Sequence, residues 1–336
     1  MKNILILALL LVFTSCKKEE KKVEVIKEPT AEQKAKYTEL KNEAWKLYES
    51  KDYLKSAQKY SEAFKVTGNK SNSSDRYNAG CSWALANEID SSYVQLFRIA
   101  EKGNYSNYSH ITTDTDLSSL HSDKRWNKLL EIVKKNKEIE EVNFDKPLAA
   151  KLDTIYEDDQ GLRKQYKDIE KKYGRESEEM KTLWKNIAEK DSVNLIKIKK
   201  ILDERGWLGK DIIGKKGNWT LFGVIQHSDI ETQLKYLPMM RDAVKKGNAN
   251  ARSLALLEDR VALRQGKRQI YGSQIHTDKE TNEKYVAPLI DPENVDIRRS
   301  EVGLGTLSDY VSRWNITWDI EKHKERTIKI ESEQKQ

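Results

Sequence analysis

The chain has 336 residues, 34% of them charged and 37% hydrophobic, with five prolines and two cysteines. Its 61 basic and 54 acidic residues are interspersed, so the formal charge of +7 describes a salt-bridged surface and excludes a concentrated nucleic-acid-binding patch. Two cysteines exclude a disulfide framework, and the composition predicts a mainly α-helical protein long enough for two domains.

At the N-terminus Lys2 precedes an apolar run from Ile4 to Phe13, followed by Thr14-Ser15-Cys16. A basic start, a short apolar core and small residues before a cysteine predict a cleaved secretory signal over residues 1–15. The run is too short to span a bilayer. Its ending resembles a bacterial lipobox, which implies that Cys16 is lipidated and holds the mature chain on a membrane through acyl chains. The stretch "KKEEKKVEVIKEPTAEQK" lacks a periodic apolar face and is expected to be a disordered tether through residue 34. Lys17-Lys18-Glu19-Glu20 is similar to the lysine-then-acidic signal of some surface lipoproteins of Bacteroidota. The expected location is therefore the outer membrane, on its periplasmic face or at the cell surface, and export separates the chain from nucleic acid. Cys81, among Ala79, Gly80, Trp83 and Ala84, is expected to be a small buried core residue.

Residues 35–137 predict antiparallel helices. Ala44, Leu47, Tyr53, Ser56, Tyr60 and Ala63 have spacings that resemble a tetratricopeptide repeat, and "DRYNAGCSWALANEIDSSYVQLFRIAEKG" begins a second helix pair about one repeat later. Leu117, Leu120, Trp126 and Leu130 are expected to close the stack. The resemblance implies a concave surface for a peptide or partner protein, or a short spacer. His110 and His121 are read as surface or packing residues.

Residues 147–318 predict a second helical domain carrying a small β-hairpin, followed by a charged tail over 319–336. Two amphipathic helices come first, and their many Lys and Glu residues are read as a solvated face. In the second, Leu183, Trp184, Ile187, Val193, Leu195, Ile196 and Ile198 supply the apolar side, and Gly206 ends it. Trp219 to Ile225 is apolar all round, which predicts a buried helix ending at Gln226-His227. Ser228 and Glu231 match a capping box for the next helix, which Pro238 is expected to interrupt or kink. In the helix Ala251 to Gln265, Glu258, Asp259 and Arg260 occupy three consecutive positions amid apolar neighbours. Neither acid has a basic residue three or four positions away, so at least one charge must meet a partner from elsewhere in the fold. Gln269, Tyr271, Gln274 and His276 are placed on a hairpin. Asp296, Arg298 and Arg299 fall on a short helix, and a last helix starts near Thr306.

The combination Gly206-Trp207, Gln226-His227, Asp229, Gln233, Asp259-Arg260, Gly266, Gln269, Tyr271-Gly272, Gln274, Asp296, Arg298-Arg299 and Gly303-Leu304 resembles an uncharacterised bacterial domain family, over roughly residues 152–314. That resemblance carries no activity with it. Two functions are open. In one, the chain is an envelope lipoprotein that binds a protein, a peptide or a small ligand. In the other it is a hydrolase-type enzyme: His227 acts as general acid or base, oriented by Asp229 or Asp259. Arg260, Arg298 or Arg299 would then hold an anionic group of the substrate. Gln226, Gln233, Gln269, Tyr271 and Gln274 would line such a site. A metal-dependent version would draw on His227, Asp229, Asp259 and His276. The HExxH, GxSxG, Walker and dinucleotide-glycine signatures are all absent, so the sequence names no cofactor and assigns no metal site.

Overall fold

A computed structural model describes residues 28–278 and 280–333. The predicted signal, Cys16 and most of the tether lie outside the described residues. The chain divides into two compact units at Asn136/Lys137. The protein is mainly α-helical, with one two-stranded antiparallel sheet among the described residues.

The first unit holds α1 (Ala31–Glu49), α2 (Tyr53–Val66), α3 (Ser73–Leu85), α4 (Ile89–Lys102), the short α5 (Tyr108–Thr113), a 3₁₀ turn Thr115–Leu120, and α6 (Lys124–Glu140). The expected tether is shorter than residue 34. Thr30 accepts from the backbone of Gln33 while the Gln33 side chain accepts from Thr30, a complete capping box that starts α1 at Ala31. α1 to α4 pack each on the next, and small residues mark the contacts within each pair. Ser56 Oγ on α2 donates to the Ala44 carbonyl on α1 at 2.8 Å, and Ser92 Oγ on α4 donates to the Gly80 carbonyl on α3 at 2.7 Å. The second contact repeats the first thirty-six residues later, and each helix pair turns through a left-handed residue, Lys51 and Asn87. At Gly80 the approach is close: a Cβ there would meet Leu96 Cδ2 at 2.9 Å, so the Leu96 side chain would have to shift. Leu117, Leu120 and Trp126 are buried with Cys81 in the core of this unit, as the sequence predicts.

The second unit is built from α7 (Lys146–Lys164), α8 (Tyr166–Tyr173), α9 (Glu178–Arg205), α10 (Lys210–His227), α11 (Ile230–Lys245) and α12 (Ala251–Arg264). Then come β1 (Ile275–Thr277), β2 (Lys284–Val286), α13 (Val295–Glu301), α14 (Leu307–Val311) and α15 (Ile320–Glu333). Its largest core gathers Leu152, Ile155, Ile198, Leu202, Leu221, Ile225 and Tyr236 from α7, α9, α10 and α11. α10 is the centre of that core: every residue from Thr220 to Gln226 is buried, as its all-round apolar sequence requires. Gly206 ends α9 at φ 71°, the left-handed stop its position predicts.

Several expectations need correction. On α9 the buried stripe is Met180, Leu183, Ile187, Asn194, Ile198, Ile201 and Leu202, a 3.6-residue period. Trp184, Val193 and Ile196 fall off that stripe and are exposed. Pro238 does not interrupt α11, which continues through it to Lys245. The hairpin pairs Ile275 with Val286 and carries His276 but not Gln269, Tyr271 or Gln274, which belong to the loop before it. Thr306 caps α14, and the segment expected as a charged tail contains α15, anchored by buried His323 and Thr327.

Candidate functional site

The end of α10 brings two sets of polar side chains together. Asp159 lies on α7 at the position that Leu148, Leu152 and Ile155 define as the buried face, and it is 1% exposed. A carboxylate there needs partners. It has three: His227 Nδ1 lies 3.0 Å from Asp159 Oδ1, Gln160 Nε2 donates to Oδ2 at 2.6 Å, and Arg163 Nη1 donates to Oδ1 at 3.2 Å. Arg163 also forms a two-pronged pair with Asp191 on α9, at 2.9 and 2.6 Å. Burial raises the Asp159 pKa, but the hydrogen bond and charge of His227, with Gln160 and Arg163, outweigh it and hold the carboxyl below its ordinary value. An ionised carboxylate only accepts, so Nδ1 of a neutral His227 carries the hydrogen and Nε2 is left as the basic nitrogen. Nε2 has no hydrogen-bond partner among the described residues, and the ring is part-exposed.

The second set surrounds Arg260 on α12. Its Nη1 donates to the Gln226 carbonyl at 2.7 Å and its Nε to Gln274 Oε1 at 3.2 Å. No carboxylate pairs with it among the described residues. Burial, and repulsion from Arg264 and Arg163, push Arg260 down to about 10, so it is charged at neutral pH. It faces a cavity of about 280 Å³ whose wall includes Gln226, Gln274, Lys284, Tyr310 and Trp314. Gln226 is 5% exposed, and while its Nε2 donates to the Leu256 carbonyl at 3.4 Å, its buried Oε1 has no hydrogen-bond partner among the described residues.

Asp259, the neighbour of Arg260, is fully buried and faces the other way. Its Oδ1 accepts from the backbone of Ile270 at 2.6 Å and Tyr271 at 2.9 Å, and its Oδ2 accepts from Ser273 at 2.9 Å. Burial raises its pKa against the opposing pull of these three donors. The same loop is clamped by Gln269, which exchanges amide bonds with Gln274 and donates to the Ala287 carbonyl at 2.8 Å. Arg299, 1% exposed, donates to the carbonyls of Tyr271 and Gly305 at 2.6 Å each. Arg298 donates to the carbonyls of Ile270 and Ile290 and pairs with Asp291. The loop that presents Ser273 and Gln274 to the cavity is thus fixed by charges inside the protein.

The sequence-predicted residues therefore separate into groups. Gln226, Arg260 and Gln274 line the cavity. Asp259, Gln269, Tyr271, Arg298 and Arg299 build the loop beside it. Gln233 is buried and holds the α10–α11 corner by donating to the carbonyls of Gln226 and Ser228 at 3.0 and 3.3 Å. Neither Asp229 nor Asp259 orients His227. Asp229 caps α11, accepting from the backbone of Thr232 at 2.7 Å, because it is the residue with extended backbone before the first helical turn. Ser228 is instead the last cap of α10, so the Ser228–Glu231 capping box does not form. His276 lies on β1 against Tyr285 and joins no group with His227. The sequence reading missed Asp159, Arg163 and Asp191, having assigned their helices a solvated charged face. The available signal was Asp159's register on the apolar stripe of α7.

No curated protein and no solved structure matches the chain. Residues 146–321 match the model of a family of unknown function, DUF6624, and since this segment is just over half of the chain, the protein belongs to that family.

Proposed function

We propose that the second unit binds a small organic anion in the Arg260 cavity. The observation that carries this reading is a largely buried guanidinium with no carboxylate partner among the described residues, facing a cavity. Such a charge is stable when an anion meets it. Arg260 spends Nε and Nη1 on the protein and leaves Nη2 for a ligand. Lys284 adds positive charge, Tyr310 and Trp314 offer apolar walls, and Gln226 Oε1 awaits a donor. The ligand class is a carboxylate with an apolar body and a hydroxyl or amino group. Thermal unfolding of the full chain with benzoate, hydroxybenzoate and inorganic phosphate tests it. The expected result is stabilisation by the carboxylates, strongest for the hydroxylated one, and its loss in Arg260→Gln. Equal response in the variant would sink the reading.

The His227–Asp159 pair supports a second reading, in which His227 Nε2 takes a proton from water that attacks an ester of such an anion. Turnover of a carboxylate-bearing ester should vanish in His227→Gln with helicity retained; equal turnover would refute it.

The thirty-six-residue recurrence supports a tetratricopeptide-like first unit offering a surface to a peptide or protein partner. The lipobox-like ending at Cys16 supports an outer-membrane lipoprotein, periplasmic or surface-exposed, and metabolic labelling with palmitate that is lost in Cys16→Ala is its test.

A further inference from the structure

In the first unit a cavity of about 420 Å³ opens between α1, α3 and the segment after α5, lined by Cys81, His110, Asp114, Asp116, Tyr48 and Tyr77 among others. Cys81 Sγ and carboxylate oxygens of Asp114 and Asp116 all lie within 4.8 Å of one another. Cys81 Sγ is 3.7 Å from Asp114 Oδ2, and His110 Nε2, one helical turn earlier, is 3.9 Å from the same oxygen. These separations approach the ~3.3–3.8 Å between ligand atoms around a tetrahedral zinc-class ion. His110 is half-exposed and packs on Tyr77, as a surface or packing residue is expected to do, and Asp114 follows it at four residues.

The charge balance points the same way. Asp114 and Asp116 have no lysine or arginine within ion-pair distance among the described residues, and His110 is the one basic group near them. Asp114 Oδ2 accepts from Tyr77 at 2.9 Å and Asp116 Oδ2 from Tyr48 at 2.5 Å, contacts that fix two carboxylates side by side without neutralising them. Cys81 is 4% exposed, lines the cavity, and its thiol donates to Asp114. Partly buried carboxylates of this kind call for a cation.

We propose that Cys81, Asp114, Asp116 and His110 bind a divalent metal ion of the zinc class. A thiolate, an imidazole and two carboxylates suit a borderline ion and disfavour magnesium or calcium, which take oxygen ligands. Binding releases the Cys81 thiol proton to solvent, and the sulfur coordinates as thiolate. Tyr48 and Tyr77 then act as outer partners that orient the carboxylates.

Cobalt(II) alone, titrated into the full chain carrying Cys16→Ser so that Cys81 is the sole thiol, tests this site. The expected result is a thiolate-to-cobalt charge-transfer band saturating at one equivalent, bleached by Zn²⁺ and unaffected by a hundredfold excess of Mg²⁺. Cys81→Ala should abolish the band. Asp114→Asn and the exposed-helix variant His110→Ala should each weaken cobalt affinity about tenfold or more while far-ultraviolet circular dichroism shows unchanged helicity. Absence of the band in the Cys16→Ser chain, its persistence in Cys81→Ala, or undiminished affinity in Asp114→Asn or His110→Ala would overturn the proposal.

Discussion

Each unit of the protein gathers two aspartates and a third metal-ligating side chain, and the two clusters reach electrical balance differently. Around Asp159, Asp191 and His227, a guanidinium supplies the positive charge: Arg163 follows Asp159 by four residues on α7 and reaches across to α9. Around Cys81, Asp114 and Asp116 no arginine or lysine stands three or four residues from either aspartate, and none arrives from another helix among the described residues. Similar side-chain types thus make a charge-balanced network in one unit and a cavity-lining set in the other. What separates them is the cation, not the carboxylates.

Removing that cation is the most direct way to break the contrast. Arg163→Met leaves Asp159 and Asp191 facing each other without their counter-charge and should destabilise the second unit by about 3 kcal/mol in urea unfolding. Zn²⁺ should restore part of the loss, since the variant now resembles the other cluster; a change below about 1 kcal/mol would show that Arg163 is not the balancing charge. A smaller effect is expected at Asp159→Asn, about 2 kcal/mol for a hydrogen-bonded buried carboxylate. The sign with pH follows from the lowered Asp159 pKa. Its contribution is present above the ordinary carboxylate value and is lost as pH falls through the depressed one. Stability of the wild type should therefore drop more steeply than that of Asp159→Asn below about pH 4, and parallel curves would contradict the assignment. The smallest effect belongs to the first unit. With chelator present, Asp116→Asn should change stability by no more than about 0.5 kcal/mol, because it removes an unneutralised charge and keeps an acceptor for Tyr48. A loss comparable to that at Asp159 would erase the distinction.

Much of the scaffold was legible because it rests on local periodicity. The buried α10, the stop at Gly206 and the helix Ala251–Arg264 follow from apolar spacing and glycine placement. So does the need of the Glu258-Asp259-Arg260 trio for distant partners. The partners themselves were not legible. Asp259 is answered by backbone N–H groups of a loop, and main-chain donors leave no mark in a sequence. His227 is answered by Asp159, sixty-eight residues away on another helix, where residue identity says nothing of proximity. Asp229 and Ser228 were exchanged in role because both are good helix caps, and only backbone geometry distinguishes the end of α10 from the start of α11.

Adjacent residues Asp259 and Arg260 leave α12 in opposite directions, one into the loop and one into the cavity. Ser273, which the first residue holds in place, is a wall residue for the second. The binding site we propose would consequently depend on this loop, and the free energy that keeps Ile270, Tyr271 and Ser273 bonded to Asp259 would set the fraction of molecules competent to bind. A ligand that filled the cavity would draw that population toward the bonded form, so occupancy of the proposed site and local order of the loop would be two readings of a single equilibrium.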